Sequence, residues 1–117
     1  MRIVMDRSLK VLPQGSATEP LTPGEAALML AALGNPIRMN AFRHLIDADI
    51  SGLKVGSLQG LLKIPASTLN HHLAALKDSG LVRQQRIGRE VHNHPSLDAL
   101  RRLERFLEDL GSRKPSR

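Results

Sequence analysis

Between Ile64 and Val82 the sequence reads Ile-Pro-Ala-Ser-Thr-Leu-Asn-His-His-Leu-Ala-Ala-Leu-Lys-Asp-Ser-Gly-Leu-Val. The side chains here that could do chemistry are hydrogen-bonding ones: Ser67, Thr68, Asn70 and His71. On a helix over 66–78, at about 100° per residue, Leu73 and Leu76 fall within about 40° of Leu69 as a narrow apolar stripe. Ser67, His71 and Ala74 then point the opposite way, with Asn70 on the flank. The outward start of such a helix carries no long side chain, so it can lie close to base edges in a major groove. Asn can pair bidentately with adenine, Ser and Thr are permissive, and an imidazole can donate to guanine or phosphate. Ser67 and Thr68 also have a plainer use, as caps of the helix N-terminus. His72 lies about 60° from the apolar stripe and reads as a packing residue satisfied by a nearby carbonyl.

Other charged and apolar groups repeat this choice between contact and scaffold. Arg86 and Arg89 flank an expected turn, where a guanidinium can enter a minor groove or bind phosphate, or simply be solvated. Lys63 and Lys77 are further phosphate candidates, and such contacts add affinity and salt dependence without sequence reading. Leu100, Leu103, Leu107 and Leu110 follow a 3-4-3 spacing, with Phe106 beside them. A monomer could bury that stripe internally. The favoured reading is a dimer seam with Leu28, Met29, Ala32 and Leu33 of an earlier helix, setting two reading helices about 34–36 Å apart. His92 and His94 share a face of an expected strand, and with Asp47, Asp49 or His44 they could form a metal site. Nothing in the sequence brings those groups together, so no metal and no cofactor is expected.

The elements that must position these groups are marked by their ends. Thr22-Pro23-Gly24-Glu25 combines a cap, a proline at the first helical position and a capping box, opening a helix to about Leu33. Asn35-Pro36 repeats the signal for a helix to about Ile46. Residues 47–52 read as a loop, 54–63 as a short helix, and Ile64-Pro65 as the tight turn before the helix over 66–78, a helix-turn-helix by spacing. Gly80 ends that helix. Two short strands are expected over 81–85 and 90–93, with Arg86-Ile87-Gly88-Arg89 as the turn between them, forming a wing. Pro95-Ser96 caps a last helix to about Leu110. The expected fold is therefore mainly α with a small β-hairpin, in the order α-α-α-α-β-β-α, a winged helix-turn-helix. Residues 1–20 read as a partly ordered arm broken by Pro13, Gly15 and Pro20, residues 21–110 as one domain, and residues 111–117 as a flexible basic tail.

Composition narrows the function classes. The 117 residues carry a net charge of +6, with two Phe, no Tyr or Trp, and no Cys. A core of Leu, Ala, Ile and Val this small is marginal alone, and a dimer interface could complete it. Residues 1–53 hold five basic and five acidic residues, whereas 54–117 hold twelve and six. The excess lies in the half containing the candidate reading helix, which suits a polyanion, although a solvated basic surface gives the same count. The absence of Cys excludes disulfides, thiolate metal sites and cysteine redox sensing. No apolar run approaches the roughly 20 residues that span a bilayer, so no membrane partner is expected and the default compartment is a bacterial-type cytoplasm. No Ser-His-Asp set, paired carboxylates or phosphate loop stands out, so an enzyme is not expected.

Three blocks in order carry a family resemblance: Ala32-Leu33-Gly34-Asn35-Pro36-Ile37-Arg38, then Ser67-Thr68-Leu69-Asn70-His71-His72-Leu73, then Gly80-Leu81-Val82 followed by Gly88-Arg89-Glu90-Val91. Over roughly residues 25–110 the chain resembles the ArsR/SmtB winged-helix repressors. That resemblance implies a homodimer binding an imperfect palindrome in double-stranded DNA at a promoter, repressing until an inducer releases it. There are departures. Wings in this family often end in Tyr, where this chain has Asn93. Val55-Gly56-Ser57-Leu58-Gln59 lacks the Cys pairs of metal-sensing members. Asp98-Ala99-Leu100 begins an Asp-x-His pattern and fails at its His, and Gly111 and Lys114 stand where a distant His-x-x-Glu would be. Any signal is therefore unidentified and not sensed through cysteine. A different class, a winged-helix module docking an acidic protein or binding DNA non-specifically, fits the same charge pattern.

Overall fold

The computed structural model describes residues 19–113. The expected arm over 1–20 falls outside this range except for Glu19 and Pro20, as do residues 114–117 of the expected tail. Within these residues five helices and three short strands follow in the order α1 (Pro23–Leu33), α2 (Pro36–Asp47), β1 (Leu53–Lys54), α3 (Val55–Leu62), α4 (Ala66–Asp78), β2 (Val82–Ile87), β3 (Glu90–Pro95) and α5 (Leu97–Ser112). The fold is mainly helical with a small antiparallel sheet, the winged helix-turn-helix that the sequence predicts.

The helix starts are chemically explicit. Thr22 Oγ1 accepts from Glu25 N at 3.1 Å while Glu25 Oε1 accepts from Thr22 N at 2.8 Å, closing the capping box. Asn35 Oδ1 accepts from Ile37 N and Arg38 N at 2.8 and 3.1 Å. Ser96 Oγ accepts from Ala99 N at 3.2 Å and opens α5. Each cap satisfies backbone donors that the helix cannot pair internally. Between α3 and α4 the chain reverses at Lys63, which is left-handed with φ 59° and ψ 47°. Pro65 disfavours helical geometry at Ile64, so α3 has to stop before it.

The core is aliphatic. Leu45, Leu58, Leu69, Leu73, Leu76 and Leu81 are almost completely buried, so α2, α3, α4 and the root of the wing close on one another. Ala26, Met29 and Ala32 bring in α1, and Ala99 and Leu103 bring in α5.

The sheet departs from expectation in two ways. It has three strands, in the order β1-β3-β2, because Leu53 and Lys54 pair with Asn93 and His92 where the sequence suggested a loop running into helix. The hairpin strands are also longer than expected. β2 and β3 pair from Val82↔Pro95 to Ile87↔Glu90, leaving Gly88 and Arg89 as the two-residue turn. Gly88 takes φ +64°, as a tight hairpin turn requires. Arg86, expected in the turn, is instead on β2 opposite Val91.

Asn93 ties the three strands together. It is fully buried, accepts from Gln84 Nε2 at 2.9 Å and donates from Nδ2 to Leu53 O at 3.0 Å. One amide thus satisfies a neighbour on each side, as a buried polar group must be satisfied. Gly52, just before β1, has φ +78°, and a Cβ there would stand 2.5 Å from Asn93 O and 2.7 Å from His94 Cε1. Only glycine lets β1 approach β3 this closely.

Candidate nucleic-acid interface

Helix α4 presents two chemically different sides. Leu69, His72, Leu73 and Leu76 are buried, whereas Ser67, Thr68, Asn70, His71 and Ala74 are exposed. The N-cap of α4 is Pro65 and no side chain caps it, so Ser67 and Thr68 are not engaged as the cap of this helix. Their hydroxyls stand on the first turn, next to a row of small residues that leaves the backbone approachable.

His72 packs, as expected, but its partner is not a carbonyl. Nδ1 accepts from Arg38 Nε at 3.2 Å, and the ring tilts 60° from that of His71 with centroids 5.9 Å apart. Burial first, then the Arg38 charge and His71, hold the His72 pKa below the ordinary 6.5. The neutral ring is the form that can accept from Arg38.

Lys63 is exposed at the C-cap of α3, three residues before α4 begins, and Arg86 and Arg89 are exposed on the wing. Lys77 is exposed near the end of α4, where it lines a groove with Glu25, Leu28, Asp78 and Arg102. It therefore stands apart from the small-residue turns at the start of the helix. The far side of the wing is tied to β1. Glu90 Oε2 receives Lys54 Nζ at 3.1 Å, and Glu90 Oε1 lies 3.2 Å from His92 Nε2. His92 Nδ1 lies 3.0 Å from Ser51 O. Lys54 and then His92 hold the Glu90 carboxyl below its ordinary 4.5.

His94 faces Gly52, and its Nε2 is buried without a hydrogen-bond partner. Burial, then Arg83 and His92, push its pKa below 6.5. Among the described residues no group of three or more His, Cys, Asp or Glu is placed to hold a metal ion.

The apolar residues assigned to a seam divide by burial. Met29, Ala32 and Leu103 are buried within the protomer, and Leu33, Leu100 and Phe106 are partly buried against the core. Leu28, Leu107 and Leu110 are 54%, 43% and 50% exposed. Sequence reasoning passed over Arg38, Lys54 and Glu90, because the bonds Arg38–His72 and Lys54–Glu90 join residues 34 and 36 positions apart. Among the described residues no helix is long and apolar enough to cross a membrane.

The sequence model for "Bacterial regulatory protein, arsR family" matches residues 43–84, from within α2 to within β2. No curated protein sequence matches the chain. Among solved structures, the chain is similar to an ArsR-like transcriptional regulator from Rhodococcus sp. RHA1. Identity is 30%, coverage is 77% of this chain and 82% of that one, and the TM-score is 0.70. It is also similar to HlyU from Vibrio cholerae N16961, at 30% identity, 72% and 91% coverage and a TM-score of 0.59. The fold is shared with a homodimeric winged helix-turn-helix DNA-binding domain, Mb0332 from Mycobacterium bovis. That match has 21% identity, 76% and 80% coverage and a TM-score of 0.62. Sequence and fold agree with the three motif blocks: the chain belongs to the ArsR family of bacterial transcriptional regulators, and its winged helix-turn-helix is the DNA-binding domain of that family.

Proposed function

We propose that residues 21–110 form the working domain of a homodimeric repressor. It binds an imperfect palindromic operator in double-stranded DNA and is released by a signal not sensed through cysteine. The observation that carries this reading is the two-sided α4, with small hydrogen-bonding residues exposed over a buried leucine back. In this reading Asn70 and His71 meet base edges, and Ser67 and Thr68 meet bases or the adjacent phosphate. Lys63, Lys77, Arg86 and Arg89 meet the backbone, with the wing arginines placed for phosphate or a narrow minor groove.

Leu28, Leu107 and Leu110 supply the outer surface of the dimer seam. Leu33, Leu100 and Phe106 stand behind them, and Met29, Ala32 and Leu103 form the layer beneath. Exposed leucines on the first and last helices support this placement, as does the homodimeric state of the Mycobacterium bovis domain of the same fold. The protein works in the cytoplasm, without a cofactor and without catalysing a reaction.

The test is a fluorescence-anisotropy titration of the full chain against the DNA upstream of its own gene and a shuffled control, at several salt concentrations. The expected result is selective binding that persists near physiological salt. Asn70→Ala or His71→Ala should cost about 1–3 kcal/mol on the operator and relax preference there. Equal binding to both DNAs that vanishes with salt would overturn the reading and favour a basic module that docks an acidic protein.

A further inference from the structure

Arg38 is a charged residue on the first turn of α2, where Asn35 Oδ1 holds its backbone N–H at 3.1 Å. Its side chain is only partly exposed and leaves α2 for α4. There Nε donates to Nδ1 of His72 at 3.2 Å, a bond between residues 34 positions apart. The direction of this bond cannot be reversed, because a guanidinium has donors and no acceptor. His72 Nδ1 must therefore carry the lone pair, and the ring proton is on Nε2. The ring so fixed is buried and stands against that of His71, which is exposed on the side of α4 assigned to DNA. Burial, the Arg38 charge and His71 together lower the His72 pKa, which keeps the accepting form in place.

We propose that Arg38 is a positioning residue for base reading: through its Nε–H it fixes the tautomer and orientation of the buried His72 ring, and that ring fixes how His71 is presented to DNA. The inference rests on the assignment of His71 to the DNA-facing side. It gives Arg38 work that needs a donor at one position, which a cation alone does not supply.

Two substitutions separate donor from charge. In Gln the amide nitrogen is as many bonds from Cα as Nε is in Arg, so Arg38→Gln keeps a donor there and loses the charge. In Lys a methylene occupies that position, so Arg38→Lys keeps the charge and moves the donor one bond further out. Both variants and Arg38→Ala are made in the full chain, checked for native circular dichroism, and examined in two ways. Imidazole nitrogen–proton correlation spectra of the free protein read the His72 tautomer. Anisotropy titrations on operator and shuffled DNA read the preference between them.

Wild type and Arg38→Gln should show His72 protonated on Nε2 alone, and Arg38→Lys and Arg38→Ala should show mixed tautomers. The operator-over-shuffled ratio should fall about tenfold in the Lys and Ala variants and stay within about twofold of wild type in the Gln variant. Retention in Arg38→Lys with loss in Arg38→Gln would make Arg38 a phosphate contact and overturn the proposal. An unchanged ratio in all three variants, or an Nδ1-protonated His72 in wild type, would overturn it as well. If the wild type itself fails to discriminate, the role in base reading falls together with the DNA assignment, and the spectra still show whether Arg38 fixes His72. Should Arg38→Ala not fold, the Gln and Lys pair decides.

Discussion

Asn93 offers the most direct test of what holds the wing in place. Replacement by Ala removes the acceptor for Gln84 Nε2 and the donor to Leu53 O, bonds of 2.9 and 3.0 Å, from a residue with no exposed surface. The two bonds are worth about 1 kcal/mol each, and the Leu53 carbonyl, left without this donor, adds a desolvation cost of about 1–3 kcal/mol. Gln84 is half-buried and can turn to water, so it adds little. Before the small cavity is counted, the expected loss is about 3–5 kcal/mol, a large share of the roughly 5–15 kcal/mol that a domain has. At a denaturant dependence of about 1.3 kcal/mol per molar urea, the unfolding midpoint falls by about 2–4 M.

The assay is urea unfolding followed by circular dichroism at one fixed protein concentration, since a dimer's midpoint depends on concentration. Asn93→Asp separates hydrogen bonding from volume. It keeps the shape and the acceptor for Gln84, but sets a carboxylate oxygen where the donor to Leu53 O stood, at a position with no exposed surface. It should destabilise at least as much as Ala. A shift below about 0.5 M for Ala would refute the reasoning. So would a near-neutral Asp beside a costly Ala, because packing volume and not the amide's two bonds would then hold the sheet.

Three further outcomes are expected. Arg86→Ala and Arg89→Ala should each lower the salt slope of DNA binding by about one and weaken operator and shuffled DNA alike; loss confined to the operator would show that the wing reads sequence. His72 and His94 both have folded pKa values held below 6.5, mainly by burial. The unfolded chain therefore takes up protons first, and stability present above pH 6.5 is lost as pH falls toward the folded values, so the urea midpoint should drop between about pH 7.5 and pH 5; a flat midpoint over that window would contradict the lowered values of the two rings. Leu107→Glu with Leu110→Glu should give monomers in sedimentation that bind half-sites weakly, and an unchanged dimer mass would remove the seam from α5.

The helices were legible because their signals are local. Thr22-Pro23 with Glu25, Asn35-Pro36 and Ser96 place polar caps directly before periodic apolar runs, and each closes the bonds its residue type implies. The bounds of α4 follow from Pro65, the Leu69, Leu73 and Leu76 stripe, and Gly80 at φ +89° just beyond the end. Strand β1 has no such signal. Two residues cannot show a period, and Leu53 and Lys54 become a strand only because β3 pairs with them. The wing strands read short for a related reason. Their side chains alternate neither clearly apolar nor clearly polar, so their length is fixed by the Gly88-Arg89 turn and by pairing.

The DNA-facing candidates were legible for the same reason as α4, since exposure on a helix follows from phase once the buried stripe is known. What supports them was not. Arg38 reads as one more surface cation, and only folding brings its Nε to His72. Asn93 stands where the family often has Tyr. The sequence shows the missing ring, but not that a small amide there can bond β2 and β1 at once. Glu90 reads as a wing carboxylate until Lys54 and His92 are found on either side of it. In each case at least one partner is contributed by another element, so residue type and spacing suggest the surface while the bonds that hold it rigid belong to the tertiary structure. The proposed seam follows the same logic one level higher. Spacing places Leu103 and Leu107 on neighbouring turns of one helix, yet one is 3% and the other 43% exposed. Periodicity marks a residue as apolar-facing, and the partner that covers it, whether the same protomer or a second, is decided by what packs there.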